Sequence, residues 1–321
     1  MKLGVMTVCL GHMSLEETCK YLSSLGVQEL EIGCGGSPGT AHCDAIKCLE
    51  NPALGDEMLA TVKKYGLTIA ALSTHNNPVH PDPKVAEHDH KEFEAAVLLA
   101  ERLGVKTVGT FSGCPGDSDN AAHPWWSVAT WPTEHATVRE WQWEQKLIPY
   151  WKKAGAFAEA HHVRVALEIH PGFSVYNPGT LMRLREAVGP VIGANFDPSH
   201  MFWQGIDPAA AIREMKGAIY HFHAKDTKID PYNTAKYGVL DTRGFRDVTG
   251  RPWVFRTVGY GHGEETWRSI FSALQAAGYD GVISIEHEDA LMSQKEGLEK
   301  AISFLKNNII FDDINQDVFW A

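Results

Sequence analysis

Gly193-Ala-Asn-Phe-Asp-Pro-Ser-His200 reads as a short buried strand, Ile192 to Phe196, that stops at Asp197 and Pro198, because proline has no N–H to give to a sheet. A carboxylate and, three residues on, an imidazole are left at one strand end. Three other stretches behave alike. Val163-Arg-Val-Ala-Leu-Glu168-Ile-His170 carries Glu168 near its end. Ala218-Ile-Tyr-His221-Phe-His223-Ala-Lys225-Asp226 runs into His, Lys and Asp, and Gly281-Val-Ile-Ser-Ile-Glu286-His287-Glu288-Asp289 ends in four ionisable residues. Four strands in the C-terminal half, each apolar and then abruptly charged, predict strand ends that converge on one polar centre.

Outward from these strands, β and α patterns alternate along the chain. Strands are predicted at Lys2–Cys9, Gln28–Ile32, Leu67–Ser73, Val105–Phe111, Val163–Ile169, Ile192–Phe196, Ile219–Ala224 and Val282–Glu286. Ser14-Leu-Glu-Glu17 is a capping box that opens the first helix. Long helices are predicted at Lys84–Leu103 and Thr137–His161. The strands are continuous apolar runs, as in parallel sheets covered on both faces. Eight β-then-α units predict a closed (β/α)8 TIM barrel. A doubly wound open sheet is the alternative, but no G-x-G-x-x-G follows the first strand. The barrel is expected to span residues 1–307 as a single domain, with a C-terminal tail at 308–321 whose Phe319 and Trp320 could dock on the barrel or on another subunit. Two connections, Ser112–Ala136 after strand four and Lys225–Tyr260 after strand seven, are too long for plain loops and are expected at the site face.

Composition narrows the function. A chain of 321 residues with 44% hydrophobic and 21% charged residues is that of a soluble globular protein. A formal charge of −11 and the lack of a basic stripe argue against nucleic acid as a partner. No apolar run reaches the length of a membrane span, and Met1–Leu10 reads as a strand rather than a signal peptide. The six cysteines have no C-x-x-C spacing and read as free thiols of a cytoplasmic protein.

Glu168, Asp197, His223 and Glu286 are placed at the C-terminal ends of strands five to eight. Three carboxylates and one imidazole in one pocket repel one another without a counter-charge, and a divalent cation supplies it. Mostly oxygen donors with one nitrogen favour Mn2+ or Mg2+, with Co2+ or Zn2+ able to substitute. The motifs Leu-Glu168-Ile-His, Asn-Phe-Asp197-Pro-Ser-His200, His221-Phe-His223-Ala-Lys-Asp and Ser-Ile-Glu286-His-Glu-Asp resemble those of the xylose isomerase-like TIM-barrel superfamily. That superfamily holds sugar isomerases, ketose 3-epimerases, inosose dehydratase-like proteins and the endonuclease IV branch. The resemblance implies that Glu168, Asp197, His223 and Glu286 ligate one divalent metal, Mn2+ first. It also implies that Glu168 and Glu286 are the catalytic acid/base pair and that His200 contacts substrate. The endonuclease IV branch is similar at His75, Glu168, Asp197, His200, His223 and Glu286. It departs at Thr110-Phe-Ser-Gly-Cys114, which has no histidine, and after His223-Ala-Lys-Asp226, where no Asp-x-His pair follows.

Other residues complete the expected site. His75, just after strand three, lines the pocket. Lys225, two beyond His223, binds a hydroxyl or carbonyl oxygen. His262 in Gly259-Tyr-Gly-His262-Gly263 comes to the pocket rim. Trp125, Trp126 and Trp131 form an aromatic wall, while Trp141 and Trp143 pack in a helix core or interface. A metal on a sugar carbonyl and its neighbouring hydroxyl acidifies the C–H between them and stabilises the enediolate, while a carboxylate moves the proton. The expected function is therefore a metal-dependent sugar isomerase or epimerase. The alternatives are a lyase cleaving 3-keto-glycosides, resembling the catalytic subunit of the C-glycoside deglycosidases, and a non-catalytic sugar-binding barrel. A homo-oligomer, or a hetero-oligomer with a small partner subunit, is expected.

Overall fold

The computed structural model describes residues 1–312. Eight strands close into a parallel barrel in the order β1 (Lys2–Met6), β10 (Val282–Ile285), β7 (Ile219–Ala224), β6 (Ile192–Phe196), β5 (Arg164–Glu168), β4 (Thr107–Phe111), β3 (Thr68–Ser73) and β2 (Glu29–Gly33), which returns to β1. β8 (Asp226–Ile229) and β9 (Trp253–Arg256) form a separate antiparallel ribbon within the long connection after β7. The expected (β/α)8 barrel is thus present. The cylinder closes through β1 and β10, in register from Lys2 opposite Val282 to Val5 opposite Ile285.

Local chemistry sets the helix starts. Ser14 Oγ accepts from the Glu17 amide at 3.2 Å while Glu17 accepts from the Ser14 amide at 2.9 Å, and this box opens Leu15–Ser24. Asn177 caps Pro178–Val188 in the same way. Asp197 caps the short helix Pro198–Phe202, accepting from the Ser199 amide at 2.8 Å. Gly193 in β6 has no room for a side chain, since a Cβ there would lie 2.5 Å from the Ala218 carbonyl oxygen.

The structure departs from the expected elements at several points. β1 stops at Met6 and Thr7–Leu10 turns as a 3-10 helix, because β10 pairs no further than Val5 and β2 no further than Met6. Asp44 caps an additional helix, Ala45–Glu50, and the next helix, Pro52–Lys64, follows it directly. The expected helix Thr137–His161 is broken into Thr133–Trp141 and Ile148–Ala160 by one π-helical turn, Gln142–Leu147. That turn aims the buried Gln142 amide at the carbonyls of Pro115, Gly116 and Trp125 and ties the connection after β4 to the helix that follows it. Of the tail residues, Asn308 and Ile309 are buried, and the Met1 ammonium donates to the Ile310 carbonyl at 3.2 Å. Phe319 and Trp320 lie outside the described residues. All six cysteines are free and buried. No helix among the described residues is long and apolar enough to cross a membrane.

Candidate active site

Strands alternate their side chains, so residues two apart share a face. Along β7 this sends His221, His223 and then Lys225 to the barrel interior, one above another toward the C-terminal mouth. β2 contributes Glu31, β5 Glu168, β10 Ser284 and then Glu286, while Asp197 follows β6 directly. One donor atom from each of Glu168, Asp197, His223 and Glu286 lies within 4.8 Å of the other three. The four strand-end residues singled out in the sequence are therefore neighbours in space, at the end of the barrel where sites of this fold are built.

Each group sits in a defined field. Glu168 is 3% exposed, with His200 Nε2 at 3.2 Å from Oε1 and His75 Nε2 at 2.9 Å from Oε2. Burial pushes its carboxyl up, but His200, His75 and His223 outweigh burial and hold it well below the usual range. Asp197 is fully buried; Lys225 Nζ stands 3.1 Å and His200 Nε2 3.3 Å from Oδ2, yet that oxygen accepts no hydrogen bond from the described residues. Burial raises the Asp197 carboxyl to about 6, with Lys225 opposing and Glu286 and Glu168 adding to the rise. Glu286 is brought down to about 2, because Lys225 and His223 outweigh burial. Lys225 Nζ is 2.7 Å from Glu286 and 3.0 Å from Glu288, so a buried lysine supplies part of the counter-charge.

His223 faces three carboxylates. Its Nε2 is 2.9 Å from Glu31 Oε2, and its Nδ1 is 2.9 Å from Glu286 Oε2 and 3.8 Å from Glu168 Oε2. Burial lowers its basicity, but Glu31 and Glu286 prevail and raise it well above the ordinary value. Oxygens of three carboxylates and one imidazole nitrogen thus converge, and Asp197 Oδ2 is a buried polar atom without a hydrogen bond from the described residues. The donor set fits a hard or borderline divalent cation.

A cavity of about 250 Å³ opens above this cluster. Glu168, Lys225, Glu286, Glu288, His75, His170 and His287 form its polar side; Met6, Val8, Pro38 and Phe111 form its apolar side. His75, expected in the pocket, is 3% exposed on its wall, with its Nε2 close to Glu168 but off hydrogen-bonding geometry. His200 is brought to Glu168 and Asp197 but does not line the cavity; His170, whose ring centre is 4.1 Å away, does. Lys225 lines the cavity while bound to three carboxylates.

His262 does not reach the cavity. Its Nδ1 bonds Asp226 Oδ1 at 2.8 Å and its ring stacks on Phe202 at 3.7 Å, because Asp226 Oδ2 gathers the amides of Gly259, Gly261 and His262 into a tight turn. The tryptophan wall is corrected as well. Trp131 is 80% exposed, Trp125 packs on His135 of the helix that follows their loop, and Trp126 packs on Tyr176 in the connection after β5, so none of the three lines the cavity. Phe111, stacked on Phe173 at 4.0 Å, is the aromatic surface of the cavity instead. Glu31 went unseen in the sequence. The signal was there: a charge inside a strand flanked by apolar residues and destined for burial on both faces.

Comparison with known proteins matches residues 19–308 to the family model described as xylose isomerase-like TIM barrel. The uncharacterized protein YfiH of Bacillus subtilis (strain 168) is 37% identical over 313 residues, which cover 96% of this chain and 99% of that one. Inosose dehydratase of Geobacillus thermodenitrificans (strain NG80-2) is 25% identical over 173 residues, covering 53% of this chain and 55% of the other. The crystal structure of IOLI protein with a binding zinc atom shares the fold, with a TM-score of 0.65 and 19% identity across 96% of each chain. The chain belongs to the xylose isomerase-like TIM barrel family.

Proposed function

We propose that this protein is a divalent-metal-dependent enzyme that moves a proton at the carbon beside the carbonyl of an unphosphorylated sugar, as an isomerase or epimerase. The observation that carries the reading is the meeting of Glu168, Asp197, His223 and Glu286 at one point beneath a polar cavity. These four residues hold the metal, Mn2+ first, with Mg2+, Co2+ or Zn2+ able to replace it. Once bound, the cation polarises a substrate carbonyl and its neighbouring hydroxyl.

The protein's own groups do the rest. Glu168, held ionised by His75 and His200, is the base that takes the proton. The proton can return to carbon from the Glu168 carboxyl that took it; Glu286, kept ionised by Lys225 and His223, is its counterpart on the other side and delivers a proton only after accepting one from the substrate hydroxyl beside the carbonyl. His200 holds Glu168 in place, and His75, Lys225 and His170 orient substrate hydroxyls. Phe111 takes the C–H face of the substrate. The lysine is already bound to carboxylates, so among the described residues no lysine or arginine free of a carboxylate lines the cavity for a phosphate. About 250 Å³ lies just below the roughly 300–1,000 Å³ of drug-sized ligand pockets, which suits a ligand no larger than one monosaccharide. Six buried free thiols go with a reducing, cytoplasmic setting.

Elimination is the second reading, favoured by the likeness to an inosose dehydratase. The same proton abstraction, followed by loss of a β-substituent, gives a dehydratase or a lyase acting on 3-keto-glycosides. The test is incubation of chelator-stripped protein, with and without Mn2+, in D2O. A ketose, a keto-cyclitol and a 3-keto-glycoside are offered in turn. Mn2+-dependent deuterium in recovered ketose supports the first reading. Water or aglycone release supports the second. Protein that binds no metal and turns over none of the three refutes both.

A further inference from the structure

We infer that Glu31, deep in the barrel, is a positioning residue that fixes which nitrogen of His223 faces the cation site. The inference rests on the metal-site reading above. Glu31 is 0% exposed and lies on the floor beneath the cluster. Four side chains converge on its carboxylate. His221 Nε2 is 2.7 Å from Oε2, Ser284 Oγ is 2.7 Å from Oε2, and His223 Nε2 is 3.1 and 2.9 Å from the two oxygens. Ser73 Oγ bonds Oε1. These partners come from β3, β7 and β10, so one side chain from β2 links three other strands across the interior.

An ionised carboxylate only accepts, and has about four sites. With four neighbours in place, each must present a hydrogen. Ser73 and Ser284 rotate to do so, but His223 has to carry its proton on Nε2. A bound cation would then take the Nδ1 lone pair on the side of Glu286, at 2.9 Å, and Glu168, at 3.8 Å, where the metal-free ring carries its second proton. The opposite tautomer would place a lone pair against Glu31 and an N–H among the cation's own ligands. A carboxylate behind the distal nitrogen of a ligating imidazole orients the ring and raises its basicity, and such partners are typically worth 10–100-fold in metal affinity.

Two measurements test this. The first is calorimetric titration of chelator-stripped wild type, Glu31→Gln and Ser284→Ala with MnCl2 alone. The second is the nitrogen-15 histidine NMR spectrum of wild type and Glu31→Gln, metal-free and loaded with Cd2+. The expected result is one Mn2+ per wild-type chain, binding about 10–100-fold weaker in Glu31→Gln, and a smaller loss in Ser284→Ala. Cd2+ should couple to His223 Nδ1 in wild type and divide between Nδ1 and Nε2 in Glu31→Gln. A variant that merely loosened the barrel would weaken binding and leave the Cd2+ coupling on Nδ1. Equal Mn2+ affinity in wild type and Glu31→Gln overturns the assignment of Glu31 alone. So does Cd2+ coupling to Nε2, which needs no variant and decides the matter if Glu31→Gln does not fold. A wild type that binds no Mn2+ removes the metal reading and, with it, this inference.

Discussion

Replacing Lys225 with methionine probes the charge balance at the barrel mouth. The ammonium is 2% exposed and stands 2.7 Å from Glu286, 3.0 Å from Glu288 and 3.1 Å from Asp197. Glu288 is 49% exposed, so water screens its share. Asp197 and Glu286 are 0% and 17% exposed and lose their partner inside the protein. Breaking a buried pair from one side destabilises by about 3–5 kcal/mol. At this chain length each kcal/mol moves the thermal midpoint by about 2 °C, so a fall of roughly 6–10 °C follows. Methionine keeps most of the apolar stem, which limits the change in packing. The same substitution leaves the carboxylates without a competing cation, so saturating Mn2+ should raise the midpoint more in the variant than in wild type. Thermal unfolding by circular dichroism, with and without MnCl2, reads both effects. A metal-free midpoint within about one degree of wild type would refute the stability argument. A drop that Mn2+ repairs no better than in wild type would separate the lysine from the cation site.

Glu168→Gln should lower turnover about 10²–10⁴-fold in the D2O assay while calorimetry still finds Mn2+ bound; wild-type rates would remove its role as base. Phe111→Ala should raise KM about 3–10-fold, the equivalent of about 0.5–1.5 kcal/mol of aromatic contact, with kcat little changed; a fall in kcat alone would show that the ring does not carry substrate. Asp289 tests the pH dependence of stability away from the cluster. Its carboxyl accepts from the Thr257 amide at 2.8 Å, Arg256 Nε at 3.0 Å and the Leu291 amide at 2.8 Å, which together outweigh burial and hold it below the usual value of 3.8. A depressed folded-state value gives stability that is present above pH 3.8 and lost as pH falls through the folded value. Urea unfolding should show Asp289→Asn less stable than wild type by about 1.5–3 kcal/mol at neutral pH, a gap that narrows below about pH 4; a gap independent of pH would contradict it.

The barrel was legible because its strands are unbroken apolar runs and its turns carry strong chemistry, as at Ser14 and Glu17 or Asp197 and Pro198. The four clustered residues were legible for a related reason. A charge at the end of a buried run has few places to go, and closure of the sheet brings such ends together. Glu31 was not legible by the same rule, since its partner His221 is 190 residues away and only the closed cylinder makes them neighbours. The β8–β9 ribbon was hidden because Asp226–Ile229 finds its partner only at Trp253–Arg256, beyond an intervening helix, Pro231–Tyr237. The tryptophans misled because aromatic content says nothing of the direction a loop takes. Gln142, whose amide holds that loop back, looks in the sequence like any polar residue of a helix.

Lys225 and Asp226 are adjacent and point to opposite sides of the chain. One enters the carboxylate cluster, and the other clasps the amides of Gly259, Gly261 and His262. A single peptide unit therefore joins the chemical centre to the root of the ribbon above it, with no intervening lever. Whatever draws the lysine aside must tug on that clasp, and hydrogen exchange at three amide protons becomes a remote gauge of events at the mouth.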